Sequence, residues 1–90
     1  MAIEFMWSAP YSVKMGRTPE LSPNSSYEVN YVAEGLANFN VKIENVQCTA
    51  EKVAPMNDAE FYVYDVSLTG FKIKNNGGNK NFFNWQVTGE

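Results

Sequence analysis

The chain has 90 residues, of which 44% are hydrophobic, 14% aromatic and 19% charged, with a net charge of −3 and no histidine. That length allows one small domain with a thin core, and the apolar content excludes wholesale disorder. Without histidine the commonest general base and zinc ligand are absent, and with them every Ser-His-Asp or Cys-His arrangement.

The opening segment has neither the basic stretch nor the apolar run of a secretory leader, and no window approaches a membrane helix. With a single cysteine, Cys48, these features point to a reducing, cytoplasmic setting. Residues 3–8 read as a short strand. Residues 9–25 contain Pro10, Gly16, Pro19 and Pro23. They read as a long loop or arm within a single domain spanning 1–90. Loops of that length commonly serve binding or assembly, and the alternative is a coil covering a sheet edge. Trp7, Tyr11, Lys14 and Arg17 are its candidate contact residues.

Residues 26–34 alternate, with Tyr27, Val29, Tyr31 and Ala33 on one face and Glu28, Asn30 and Glu34 on the other. This is the period of a half-buried strand. Residues 35–38 make a plausible hairpin connection to a second strand over 39–50. In that strand Phe39, Val41 and Ile43 share a face, and Val46 and Cys48 continue the opposite one. The phase change predicts a bulge near Asn45 or a far end covered on both sides. Cys48 reads as a half-buried structural thiol. Residues 51–59, with Pro55, read as a loop. Residues 60–68 give the strongest β signal, with apolar groups on both faces, and predict a central strand. Gly70 then marks a bulge or bend. Residues 75–79, Asn-Asn-Gly-Gly-Asn, are the clearest turn in the chain, and residues 81–88 return as a strand. No apolar stripe of helical period appears.

Charge is blocked along the chain. Residues 5–19 hold two cations and no acid, residues 20–65 hold eight acids against two lysines, and residues 66–89 hold three lysines and no acid. Such asymmetry steers a polyanion or a complementary surface, or lets copies stack basic end on acidic middle. Asparagine occurs 11 times against two aspartates. It favours turns and polar, uncharged strand faces that suit contact surfaces.

No metal-ligand cluster, phosphate loop or catalytic set emerges, so neither cofactor nor enzymatic activity is expected. The reading is an all-β fold, a small antiparallel barrel or sandwich of about five to six strands with little helix. Its leading function is a non-catalytic protein-interaction or assembly module, of the kind found among small viral or phage structural and host-directed proteins. The partner is a protein or a second copy. The alternative is a single-stranded nucleic-acid binder with an OB-like barrel. It would use Lys72, Lys74, Lys80 and Trp85 of a C-terminal hairpin, lysines for phosphates and rings for bases. The acidic isoelectric point of about 4.8 stands against that alternative. A carbohydrate-binding module, with aromatic rings as a sugar platform, is a third reading.

Overall fold

The computed structural model describes residues 12–52 and 60–90. They form six strands: β1 (Ser12–Arg17), β2 (Ser26–Asn30), β3 (Ile43–Ala50), β4 (Phe61–Tyr64), β5 (Gly70–Asn75) and β6 (Phe83–Gly89). The strands build two antiparallel three-stranded sheets, ordered β1-β6-β3 and β2-β5-β4. No helix among the described residues is long and apolar enough to cross a membrane.

The central strand of each sheet has the period that makes this arrangement stable. In β6, Phe83, Trp85 and Val87 are buried while Asn84 and Gln86 are exposed. In β5, Phe71, Ile73 and Asn75 are buried. A strand with one apolar row must lay it against another, and the two rows meet as the core of a sandwich. Tyr31 joins them, with ring centroids 5.4 Å from Phe39, 6.2 Å from Trp85 and 6.4 Å from Phe71. Phe71 and Trp85 meet edge to face at 5.6 Å. Each fully buried large apolar side chain contributes roughly 1.5–3 kcal/mol, so these rings and Phe83 dominate the stabilisation. The sheets share no ladder among the described residues, so there they pack as two separate layers.

The expected β content and the bulge are present, the latter as a register shift between Ile43 and Asn45. The expected pairings are not. β2 stops at Asn30 and the chain turns over residues 31–35. It then enters the other sheet, so β2 and β3 form no hairpin. Likewise β5 and β6 lie in different sheets, and the Asn-Gly run between them is a crossover. β5 and β6 are each the middle strand of a sheet, and they meet across the core through Phe71 and Trp85.

Two buried asparagines hold that crossover. The Asn75 side-chain amide donates to the carbonyls of Leu21 and Asn79, both at 2.9 Å, and its oxygen accepts from the Gly77 amide at 3.0 Å. The Asn81 side chain accepts from the Lys52 amide and donates to the Lys52 carbonyl, each at 2.9 Å. Buried polar groups are tolerated when satisfied in this way.

Two other expectations are corrected. Residues 60–68 contain β4, a four-residue edge strand rather than a central one. Phe61 and Val63 pack against the core while Tyr62 and Tyr64 turn outward, since a phenol tolerates water. Asp65 ends the strand with φ 52°. The proposed loop or arm over 9–25 contains β1, paired along its length with β6. Gly16 makes this pairing possible, because a Cβ there would stand 2.5 Å from the Trp85 indole. In the other sheet, the backbone of Val29 lies too close to Gly70 for any side chain.

Candidate functional site

The sandwich separates the residues singled out by the sequence. Trp7 and Tyr11 lie outside the described residues. Lys14 sits on the inward side of β1, with its ammonium 4.4 Å from the centre of the Phe39 ring. Arg17, at the end of β1, grips Glu51 with two hydrogen bonds of 2.6 and 2.9 Å and stacks 4.0 Å over Phe82. The bidentate contact raises the Arg17 pKa and lowers that of Glu51. Lys80 is exposed in the crossover. Trp85 is 2% exposed and belongs to the core. The hairpin that would have joined Trp85 to Lys72 and Lys74 therefore does not exist. Cys48 is a half-buried residue of β3 packed against the core, and burial pushes its thiol up to about 11, which leaves little thiolate for chemistry at neutral pH.

Two outward faces remain. The outer face of β1-β6-β3 consists of cross-strand rows: Val13, Thr88, Asn45; then Met15, Gln86, Gln47; then Arg17, Asn84, Thr49. Between its ends it has no charge. Arg17 is neutralised by Glu51 at one end, and Lys42 lies 2.8 Å from Glu44 and 3.5 Å from Glu90 near the other. Val13 and Met15 are 53% and 62% exposed. A shallow depression of about 320 Å³ runs between Met15, Gln47, Thr49, Asn84 and Gln86. The sequence showed the polar residues of this face but not its apolar edge, because β1 read as loop.

The outer face of β2-β5-β4 is built differently. Its rows are Ser26, Lys74, Tyr62 and Glu28, Lys72, Tyr64. The two tyrosine rings are 5.6 Å apart. The Tyr64 hydroxyl donates to the Ser26 hydroxyl at 3.1 Å, so the ring reaches from β4 across β5 to β2. Lys72 stands 5.9 Å from its centre and 3.2 Å from the Asp65 carboxylate. The Asp65 contact is the main cause of a raised Lys72 pKa. The sequence pattern points to Lys72 and Lys74 but not to their neighbours Tyr62 and Tyr64. The usable signal was the choice of tyrosine, at alternate positions, opposite Phe61 and Val63.

The chain matches no protein-family model, no curated protein and no solved structure.

Proposed function

We propose that the protein is a non-catalytic assembly module, and that the outer face of β1-β6-β3 is its contact surface with a second copy of the chain. The observation behind this reading is the uncharged middle of that face, where Asn84, Gln86, Gln47 and Thr49 sit beside Met15 and Val13. Interface cores are depleted in charge and enriched in methionine. Amide and hydroxyl side chains both donate and accept hydrogen bonds. A face made of them is complementary to itself, as a two-fold contact requires, whereas a face of one charge would repel its copy.

Sedimentation velocity over a wide concentration range tests this. Self-association is expected, and Gln86→Lys is expected to weaken it by placing like charges opposite each other across the two-fold axis. A strictly monomeric parent chain, or association unchanged in Gln86→Lys and in Met15→Glu, overturns the reading. Both positions are exposed, and circular dichroism and a thermal melt establish that each variant is folded.

A further inference from the structure

From the opposite face of the sandwich we infer a second site: the Tyr62, Tyr64, Lys72 and Lys74 surface of β2-β5-β4 binds single-stranded nucleic acid. The register carries the argument. Tyr62 stands opposite Lys74, and Tyr64 opposite Lys72. Each ring thus has a lysine as its cross-strand neighbour, with the Lys72 ammonium 5.9 Å from the Tyr64 ring centre, and the unit repeats two residues along the strand, a step of roughly 6.6 Å. A polynucleotide has the same composition, one base and one phosphate per repeat, and a stretched, unstacked strand has a comparable step. Base stacking on an exposed ring and phosphate neutralisation by lysine are the two components of sequence-tolerant single-strand binding.

The geometry favours a platform. Tyr64 is held across the central strand by its bond to Ser26, which fixes the ring before a base arrives. Tyr62, 46% exposed, lies beside it. Two acids border the site. Glu28 is the cross-strand neighbour of Lys72, and Asp65 pairs with the same lysine. The Lys72–Asp65 pair is solvent-exposed, with side chains 40% and 64% accessible. Exposed pairs of this kind contribute little, so a phosphate can replace the carboxylate. The row of Ser26, Lys74 and Tyr62 contains no acid. Because the chain as a whole is acidic, binding is expected to be weak and lost readily as salt rises.

The test is a fluorescence-anisotropy titration of the full chain against fluorescein-labelled dT12 at low salt, repeated at increasing salt. Saturable binding is expected. Tyr62→Ala and Tyr64→Ala should each weaken it by roughly five-fold to a hundred-fold, the range that stacking on one ring implies. Tyr62→Phe keeps the ring and should bind like the parent, which separates lost stacking from lost folding. Lys74→Ala should weaken binding and reduce the slope of log affinity against log salt by about 0.7. No saturable binding overturns the inference. So does binding that is indifferent to both rings, or equal binding of a heparin fragment of matched charge, since either result describes a polyanion contact without bases.

Discussion

The two sheets present similar inner faces and opposite outer ones. Inside, both offer rows of aliphatic and aromatic side chains, Phe71 and Ile73 from one and Phe83, Trp85 and Val87 from the other. Outside, one sheet is a neutral field of amides and hydroxyls, and the other alternates lysine with tyrosine. The inner rows answer to a shared demand for burial, so they resemble each other. The outer rows are free of that demand, and their difference is where specificity resides. The charge blocks of the sequence do not map onto these faces. Antiparallel topology brings basic ends beside the acidic middle within one chain, as in Arg17 with Glu51 and Lys72 with Asp65. Much of the asymmetry that suggested stacking between copies is thereby neutralised internally.

The sharpest way to break this comparison uses neighbours on one strand. Trp85 points inward and Gln86 outward on β6. Trp85→Ala is expected to cost about 3–5 kcal/mol, as for large aromatic truncations in a core. Gln86→Ser should stay within about 0.5 kcal/mol. Urea denaturation of both variants checks this. In a Trp7→Phe background, Trp85 emission should be blue-shifted and should move to the red on unfolding. A red-shifted native spectrum, or similar costs for the two substitutions, would remove the division between faces.

A somewhat smaller effect is expected where the two sheets are linked. Asn81→Ala deletes both side-chain bonds to Lys52 and the contact with the Phe82 amide. Leaving these part-buried backbone groups without partners should cost about 1–2 kcal/mol. A thermal melt checks the loss, and hydrogen exchange should show faster opening at residues 51–52 and 81–82. If Asn81→Ala is neutral, the asparagines are not what holds the crossover.

These elements show how far sequence reasoning reaches in this chain. Alternation exposed the β class, the inner rows of β5 and β6, and the bulge at Asn45, because each is a local consequence of burial on one side. Pairing was not accessible in the same way. The Asn-Gly run between β5 and β6 has the composition of a tight turn, yet its Asn75 side chain binds Leu21, a residue 54 positions away. β1 escaped notice because Gly16 reads as a breaker unless Trp85 is known to lie beneath it. Of the candidate site, the pattern of lysines among aromatic residues points to Lys72 and Lys74 but couples them to Trp85, which is buried. Tyr62 and Tyr64 were assigned to a central strand, since period-two patterning cannot tell which of two aromatic faces meets water.

The smallest effect concerns Tyr31, where the inner faces meet. Its hydroxyl is buried with no hydrogen-bond partner among the described residues, and burial pushes its pKa up to about 12 from an ordinary value of 10. The protonated form is favoured in the folded state, so this group leaves stability intact below pH 10. Between pH 10 and 12 the unfolded chain releases the proton while the folded one retains it. Stability should then fall by about 1.4 kcal/mol per pH unit. Cys48, raised to about 11 from 9, acts in the same direction over a lower window. Tyr31→Phe removes one titration and the orphaned hydroxyl together. Its stability at neutral pH should equal or slightly exceed that of the parent, because a buried donor without a partner no longer has to be desolvated. Its decline above pH 10 should be shallower. Urea midpoints measured from pH 7 to 11.5 on both chains compare the slopes directly, with the lysine titrations common to each. Parallel slopes would mean that the Tyr31 hydroxyl reaches water in the folded protein, and that the junction of the two sheets is more open than its packing indicates.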